Sequence, residues 1–335
     1  MKSFTKRRND NSQAIRRAVQ LAFLLLNIWI GVQFYLFVRY YETGGRSLRL
    51  DRPPGIEGWL PIASLMNLKA FLETGALPRV HPAGMFLLVA FIAISWLLRK
   101  SFCSWLCPIG TLSEWLWRAG REIFRRNWVL PRWLDLTLRP LKYLLASFFL
   151  YAVATMPAEA IQAFLQGPYG IVADVKLLNL FRFMSTTAAI SLGLFAIASI
   201  FVQNFWCRYL CPYGAFLGLF SMLSPMRIKR QPSSCIDCGK CARECPSLLP
   251  VDKLITIKSA ECTACLICIA ECPVADALEL SVARRPVPAW AMASAVAAIF
   301  IGTCACAQWS GYWHTNLPEA VYMRYVPQAA DLEHP

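Results

Sequence analysis

Histidine is scarce in this chain of 335 residues, which contains only His81, His314 and His334. Zinc or copper sites built on imidazole, and bundles with several haems each held by two histidines, need more histidine than this. Acidic residues are also few, because 20 Asp and Glu stand against 34 Lys and Arg, which gives a net charge of +14. Such a charge indicates either nucleic-acid binding or an uneven distribution of basic residues about a membrane.

Apolar sequence is in excess: 57% of the residues are hydrophobic, against about 45–50% in an average soluble domain. The excess lies in long uncharged blocks, which is typical of a membrane protein. The sequence predicts five membrane-spanning helices, at about residues 18–38, 83–98, 141–156, 187–206 and 288–309. The second and third blocks are shorter than the roughly 20 residues that a bilayer requires, and Lys142 in the third is expected to reach for the membrane interface.

The basic residues divide unevenly between the loops that join these helices. The loops 1–18, 99–142 and 207–286 together hold 25 Lys and Arg, whereas the alternate loops hold 8. Basic loops stay in the cytoplasm, so the N-terminus and loop 207–286 are expected inside a bacterial inner membrane and the C-terminus in the periplasm. This asymmetry accounts for the net charge without nucleic acid. The first apolar block exceeds a signal-peptide core and no A-x-A-like site follows it, so a retained anchor is expected.

Loop 207–286 contains two cysteine runs with the spacing C-x2-C-x2-C-x3-C-P. They consist of Cys235, Cys238, Cys241 and Cys245, and of Cys262, Cys265, Cys268 and Cys272. In bacterial two-cluster ferredoxins with this spacing, the fourth cysteine of each run binds the other cluster. One [4Fe–4S] cluster is therefore expected on Cys235, Cys238, Cys241 and Cys272, and a second on Cys262, Cys265, Cys268 and Cys245. Zinc is the alternative, since C-x2-C pairs also bind zinc, but two complete runs with a trailing proline favour clusters.

A shorter cysteine motif, C-x3-C-P, occurs twice at an offset of 104 residues. Residues 102–112 read FCSWLCPIGTL and residues 206–216 read WCRYLCPYGAF. Two tandem units are indicated, each an outward helix, an inward helix and one motif, related by a pseudo-two-fold axis along the membrane normal. Cysteines four residues apart share a helix face, the prolines disfavour helix at the preceding residue, and Gly110 and Gly214 are expected to turn the chain.

The cysteines of these two motifs are Cys103, Cys107, Cys207 and Cys211. We expect them to form a third redox site at the cytoplasmic membrane face, either a metal or cluster site or a dithiol. The alternative is that each packs as a small apolar side chain at a helix end.

With these motifs the chain resembles the NapH/NosR/CcoG-type membrane polyferredoxins, which are 4Fe-4S binding membrane proteins with C-x3-C-P motifs. The resemblance also includes residues 58–62 and 98–102, and it covers most of residues 18–310. It implies electron transfer between the quinol pool and periplasmic redox partners. NosR-type proteins also carry a large periplasmic flavin-binding domain, for which loops 41–82 and 157–186 are too short, so flavin is expected only on a partner protein.

The expected fold is mostly α: a five-helix transmembrane bundle with an inserted cytoplasmic, bacterial-ferredoxin-like α+β domain for two [4Fe–4S] clusters. Residues 1–228 would form the membrane region with four transmembrane helices and both C-x3-C-P motifs. Residues 229–286 would form the ferredoxin domain, and residues 287–335 the fifth helix and a short periplasmic tail.

The expected function is an electron relay between the quinone pool or cytoplasmic donors and a periplasmic or membrane redox partner. The chain would be an oxidoreductase component, for example a quinol dehydrogenase subunit. Two alternatives stay open: an assembly factor that reduces a metal such as copper for a respiratory enzyme, and a sensor that reports redox state through cluster loss. The sequence assigns no catalytic residue, direction of electron flow, oligomeric state or quinone site.

Weaker features lie in the loops expected outside. His81 and His314 are expected to sit in the membrane interface, with a haem or quinone contact as the alternative. Asp174 could line a quinone or partner site. Residues 60–72 are expected to form an amphipathic helix on the membrane surface, and Cys304 and Cys306 to be packed thiols.

Overall fold

The computed structural model describes residues 10–283 and 285–334. Helices account for most of this part of the chain. In chain order they are α1 (Ser12–Glu42), α2 (Pro61–Thr74), α3 (Pro82–Leu97), α4 (Phe102–Trp105), α5 (Pro108–Phe124), α6 (Arg132–Leu138), α7 (Leu141–Thr155), α8 (Ala158–Gln166), α9 (Pro168–Ile171), α10 (Ala173–Arg182), α11 (Thr186–Phe201), α12 (Pro212–Met222), α13 (Lys240–Arg243), α14 (Ile267–Ala270), α15 (Ala289–Trp309) and α16 (Glu319–Tyr325). A 3-10 helix covers Pro54–Trp59 and a π-helical turn covers Trp206–Leu210.

Proline and glycine mark several of the helix ends. Helices α2, α3, α5, α9 and α12 each begin with a proline, which suits the first helical position because the amide hydrogen there has no partner within the helix. Gly75 follows α2 with a φ of 71°, and its N–H donates to the carbonyl oxygen of Phe71. A residue in this left-handed conformation is a frequent helix terminator.

Within residues 10–283 and 285–334, three helical stretches are long and apolar enough to cross a membrane, namely Ser12–Glu42, Arg132–Thr155 and Ala289–Trp309. The second of these stretches consists of α6 and α7. The three stretches correspond to the first, third and fifth predicted spans. Helix α3 is apolar but has 16 residues, which is about 24 Å at the rise of an α-helix. Helix α11 also has 16 residues, and the pair α10–α11 would count as a fourth span, bent by 80°. The chain is thus an integral membrane protein with three or four candidate spans, and the five-helix bundle stays a prediction.

Non-glycine residues with positive φ follow both short apolar helices. Arg99, two residues after α3, has a φ of 59°, and Asn204, three residues after α11, has a φ of 51°. Asparagine adopts this conformation readily, whereas arginine seldom does. The second and fourth predicted spans ended at residues 98 and 206. Helix α11 ends at Phe201, so the fourth predicted span ran five residues beyond the helix.

A four-stranded antiparallel sheet forms the β part of the fold. Its order is β2 (Thr256–Ile257), β1 (Met226–Arg230), β3 (Leu278–Val282) and β4 (Arg285–Pro286). Ile228 lies opposite both Ile257 and Leu280, and all three side chains are buried. In strand β1 the buried Met226 and Ile228 share one face with Arg230 at its end, whereas Arg227 and Lys229 lie on the other face. The strands of the sheet lie between Met226 and Pro286, close to the limits of the predicted ferredoxin segment 229–286. The exact limits of that segment stay a prediction.

The chain divides into two compact units. One consists of residues 10–24, 91–146 and 194–299. It holds the sheet and twelve of the fourteen cysteines, and we call it the cysteine unit. The other consists of residues 25–90, 147–193 and 300–334. It holds the three histidines, and we call it the histidine unit.

The histidine unit has two apolar cores. Phe37, Tyr41 and Tyr322 pack in one of them. In the other, Ala63, Met66 and Ala70 of α2 contact residues of α7 and α8. Ile62 and Leu72 on the same helix are exposed. The predicted helix at residues 60–72 therefore exists and has an apolar face that is buried against protein.

Candidate metal centres

The first cysteine cavity is lined by Cys235, Cys238, Cys241 and Cys272. Its empty volume is about 370 Å³, including its mouth to solvent. The fourth cysteine comes from the second run, as the spacing predicts. Cys238 is an exposed cysteine, and its neighbours Ile236 and Asp237 are exposed as well.

The second cysteine cavity is lined by Cys245, Cys262, Cys265 and Cys268 and has an empty volume of about 350 Å³. Three of these cysteines, all except Cys265, are less than 9% exposed. The structure thus sorts the eight side chains into the two predicted sets. That each set binds a [4Fe–4S] cluster stays a prediction.

The two cysteine runs curl in the same way. The second residue after the first cysteine is left-handed in both, with φ of 54° at Asp237 and 48° at Ala264. The residue after the second cysteine is left-handed too, with φ of 67° at Gly239 and 62° at Leu266. A leucine in this conformation is strained, and such strain persists where the surroundings determine the backbone. The shared curl turns three cysteines of each run toward one cavity.

Each of the two cavities presents four cysteines and no histidine among the residues that the structure describes. Within residues 10–283 and 285–334, no three His, Cys, Asp or Glu side chains lie close enough to hold one metal ion. In a cubane each iron takes one thiolate, so the four sulfurs lie farther apart than around zinc. An all-cysteine donor set around a cavity of this kind fits a [4Fe–4S] cluster better than a zinc ion.

The two C-x3-C-P motifs share a backbone geometry. The N–H of Cys107 donates to the carbonyl oxygen of Phe102 at 2.9 Å, and the N–H of Cys211 donates to that of Trp206 at 3.0 Å. Each of these cysteines is extended and precedes a helix, α5 or α12, that begins with the motif's proline. The second cysteine of each motif therefore sits at a helix N-terminus, where backbone N–H groups favour a negatively charged sulfur.

The glycines of the motifs do not turn the chain, contrary to expectation. Gly110 and Gly214 lie in the first turns of α5 and α12, because the proline starts the helix. A Cβ on Gly110 would lie 2.1 Å from the carbonyl oxygen of Cys103, whereas one on Gly214 would meet the Cys211 sulfur at 3.5 Å. Gly110 thus permits a close approach of two backbone segments, and Gly214 is less constrained.

The structure brings the four motif cysteines together, and each of them is half-buried. Cys207 interacts electrostatically with each of the other three, Cys211, Cys107 and Cys103. Burial raises the pKa of the Cys107 thiol to about 11, although the N–H groups of Gly110 and Ile109 act in the opposite direction. The N–H of Gly214 donates to the Cys211 sulfur at 3.3 Å. We call this group the paired-cysteine site.

Two buried lysines and one glutamate lie beside the paired-cysteine site. The Nζ of Lys142 lies 2.6 Å from Oε2 of Glu261, and the Nζ of Lys100 lies 3.6 Å from the same oxygen. Tyr143 donates its hydroxyl to Oε1 of Glu261 at 2.6 Å. Burial alone would raise the pKa of Glu261, but Lys100 and Lys142 lower it to about 2. Lys142 is 1% exposed, so its ammonium group is held within the protein, and its reach to the membrane interface stays a prediction.

This group carries one net positive charge. Burial alone would lower the pKa of Lys100, but Glu261 and the thiols of Cys103, Cys211 and Cys207 raise it above its usual value. A cation here offsets the negative charge of thiolates or of a thiolate-bound metal group. Neither Lys100 nor Glu261 was predicted as a site residue, although Lys100 lies three residues before Cys103 and Glu261 directly precedes Cys262.

The histidine unit holds a buried charged network centred on Arg52. Its guanidinium contacts Glu57 at 2.5 Å, Asp174 at 2.7 Å and Nδ1 of His81 at 3.0 Å. Nε2 of His81 lies 2.8 Å from the carbonyl oxygen of Gly170, so this nitrogen carries the hydrogen and Nδ1 accepts from Arg52.

Three of these four residues are at most 2% exposed, namely Glu57, His81 and Asp174. Burial alone would raise the pKa of Glu57, but Arg52 and His81 lower it. Arg52 and Gly170 contact both ring nitrogens of His81, and its position in the membrane interface stays a prediction. Arg52 and Glu57 carry no motif that would have revealed them, because their partners come from distant parts of the chain.

Comparisons with known proteins agree with the cysteine motifs. A family model described as a 4Fe-4S binding domain matches residues 80–131 and again residues 184–231. The two matches begin 104 residues apart, which is the offset of the C-x3-C-P motifs. A second family model, described as a 4Fe-4S dicluster domain, matches residues 227–273.

One relative is similar along nearly all of its length. YccM of Escherichia coli (strain K12), for which electron transport is proposed, is 51% identical over 331 residues, covering 97% of this chain and 93% of YccM. The chain belongs to the polyferredoxin-type family of 4Fe-4S membrane proteins. The family's members also include the regulatory protein NosR of Stutzerimonas stutzeri, which is 30% identical over 55% of this chain and 25% of NosR.

A third member of the polyferredoxin-type family is named a methylamine utilization ferredoxin-type protein. This is MauN of Methylorubrum extorquens, 28% identical over 57% of this chain and 62% of MauN. No solved structure matches the chain. Family membership and the cysteine-rich sites identify the chain as an iron–sulfur electron-transfer protein of a membrane.

Proposed function

We propose that this polyferredoxin relays electrons between the quinone pool or cytoplasmic donors and a periplasmic or membrane redox partner. The observation that carries the proposal is that twelve cysteines of one unit form two four-cysteine cavities and one half-buried four-cysteine site. A [4Fe–4S] cluster accepts and releases single electrons. Three such sites within one unit would provide a chain of one-electron carriers.

We propose two [4Fe–4S] clusters in the ferredoxin segment and a third redox group on Cys103, Cys107, Cys207 and Cys211. The description of the matching domain as 4Fe-4S binding favours a cluster for the third group too. The N–H groups at the start of α5 and α12 stabilise thiolates there, and the charge of Lys100 compensates them. These residues would hold the group and adjust its potential.

We further propose that the N-terminus and the ferredoxin segment lie in the cytoplasm and the C-terminus lies in the periplasm of a bacterial inner membrane. The support is the distribution of Lys and Arg, 25 against 8 between alternate loops. The outward loops are too short for a flavin-binding domain, so flavin would be carried by a partner protein.

Iron and acid-labile sulfide, measured on protein purified without oxygen, test the proposal. Two clusters give about eight iron atoms per chain and three give about twelve. Replacing Cys103 and Cys207 with serine should reduce about twelve to about eight, while Cys304→Ser, outside every motif, should leave the count unchanged. Electron paramagnetic resonance with and without a quinol then shows whether quinol reduces the clusters.

Protein that is folded but contains neither iron nor sulfide would contradict the relay. About eight iron atoms in the wild type, unchanged in the double variant, would contradict a third cluster. Copper bound in proportion to the four motif cysteines would favour the assembly-factor alternative instead.

A further inference from the structure

The two ferredoxin cavities differ in what surrounds them. At the first cavity, ion pairs join residues of the ferredoxin segment to one another: Arg230 pairs with Asp237, and Lys240 pairs with Glu271. Together with the exposed Cys238, this leaves the first cavity facing solvent. The second cavity has buried cysteines, and its loops are contacted from the membrane motifs.

The first C-x3-C-P motif contacts the loop between Cys262 and Cys265. The hydroxyl of Ser104 donates to the carbonyl oxygen of Thr263 at 2.6 Å. The indole N–H of Trp105 donates to the carbonyl oxygen of Ala264 at 3.2 Å. Ser104 is less than 9% exposed and Trp105 is fully buried, so these hydrogen bonds form away from water, where an unmade bond is costly.

The second C-x3-C-P motif also contacts the second cavity, through the cysteine run that ends at Cys245. The guanidinium of Arg208 donates to the carbonyl oxygen of Ser247 at 2.6 Å, two residues after Cys245. Arg208 is 104 residues after Ser104, so the two residues hold equivalent positions in the repeat. Ser247 and Thr263 both line the second cavity. The repeat therefore holds this cavity from two sides through equivalent positions.

Neighbouring helices add contacts at the same cavity. The amide of Gln13, in the first turn of α1, donates to the carbonyl oxygen of Cys265 at 3.0 Å. Arg121 of α5 pairs with Glu244, which directly precedes Cys245, at 2.5 Å. Each contact ends at a cysteine of the second cavity or at its immediate neighbour.

We propose that Ser104 and Arg208 are positioning residues that fix the second cavity against the paired-cysteine site. Electrons then pass between that site and the second cavity through Ser104 and Thr263. The second cavity, with Cys245, Cys262, Cys265 and Cys268, is the point at which the path enters the ferredoxin segment. The first cavity lies at the other end of the path and is open to soluble carriers. One electron moves in each transfer, so one group is oxidised by one electron, the other is reduced by one, and no bond is made or broken. The inference rests on the proposed iron–sulfur relay and adds the order of its sites.

Electron paramagnetic resonance on the full chain reduced stepwise with dithionite tests this order. Cys238→Ser assigns the signal of the first cavity and Cys268→Ser that of the second. Ser104→Ala removes the hydrogen bond to the loop between two proposed ligands, and backbone N–H groups in such loops adjust cluster potentials. We expect Ser104→Ala to shift the midpoint potential of the signal assigned to Cys268 and to leave the other in place.

The controls separate positioning from a general loss of packing. Ser113→Ala removes another buried hydroxyl, one that donates to Asn204, and should shift neither signal. Ser104→Thr keeps a hydroxyl and should restore the wild-type potential. A shift of the signal assigned to Cys238 in Ser104→Ala, or of neither signal, would overturn the order.

A second measurement uses the wild-type chain alone. An iron chelator should remove the signal assigned to Cys238 several-fold faster than the other, because only the first cavity has an exposed cysteine. Equal rates, or the reverse order, would overturn the proposal. Protein that lacks iron and sulfide would instead contradict the proposed function itself. That result is distinguishable from a wrong order of the sites, because the order is tested on protein that contains the clusters.

Discussion

Glu57 and Glu73 show how strongly burial changes the role of a carboxylate at the scale of one residue. Glu57 is fully buried against Arg52, whereas the side chain of Glu73 is 45% exposed and pairs with Lys69 one turn away. Removing one partner of a buried pair costs about 3–5 kcal/mol because it leaves an uncompensated charge. An exposed pair contributes about 0–1 kcal/mol.

We therefore expect Glu57→Gln to lower the free energy of unfolding by about 3 kcal/mol or more and Glu73→Gln by less than about 1 kcal/mol. Tryptophan fluorescence during denaturant unfolding in detergent measures both. Equal effects of the two substitutions would show that the Arg52 network does not stabilise the protein.

The pH dependence of this difference follows from the lowered pKa of Glu57. A carboxyl whose pKa is lower in the folded state stabilises the protein above its unfolded value, about 4.3. That stabilisation is lost as the pH falls through the folded value. The difference in stability between wild type and Glu57→Gln should be constant above about pH 5 and should shrink in acid. A difference that grows in acid would contradict the lowered pKa.

The two C-x3-C-P elements follow the same backbone path but tolerate different substitutions. An alanine at position 110 would place its Cβ 2.1 Å from a backbone oxygen of Cys103, and that oxygen cannot move without displacing the motif. The same change at position 214 makes an ordinary contact with Cys211. The two copies of the motif are thus similar in sequence, but only the second has space for a side chain at the position of its glycine.

We expect Gly110→Ala to reduce the yield of folded protein and its iron content severely, and Gly214→Ala to leave both near the wild-type level. Calorimetry and iron analysis on the two purified variants make the comparison. Gly193→Ala, in a helix with open space around the glycine, controls for alanine itself and should be neutral or slightly stabilising. Similar losses at positions 110 and 214 would contradict the asymmetry.

At the scale of the whole molecule, the charge distribution predicts the orientation in the membrane. Alkaline phosphatase fused after residue 335 should be active, because this enzyme folds in the periplasm, and a green fluorescent protein fused there should be dark. The same two reporters fused to a chain truncated after Gln231 should behave in the opposite way. Fluorescence from the C-terminal fusion would show that the orientation is the reverse of the proposed one and that the ferredoxin segment lies on the opposite side of the membrane.

The sequence by itself determined the features that depend on local spacing. Three cysteines separated by two residues each can reach a common cavity by local geometry alone. The exchange of the fourth cysteine between two such runs is typical of two-cluster ferredoxins, so both four-cysteine sets and the 104-residue repeat were readable from the order of the residues. Apolar blocks likewise predicted where helices lie, because a long uncharged stretch has few other stable states. The family followed from the same motifs.

Tertiary structure alone decided which side chains meet across long separations. Lys142 and Glu261 lie 119 residues apart, and Arg52 and Asp174 lie 122 apart, and no local pattern specifies such pairs. The ends of α3 and α11 were also set by packing, since Arg99 adopts a left-handed conformation that its residue type does not favour. Nothing in the spacing of the two cysteine runs distinguishes one cavity from the other. They differ because Ser104, Trp105 and Arg208 contact the loops of only one, and those contacts exist only once the chain has folded.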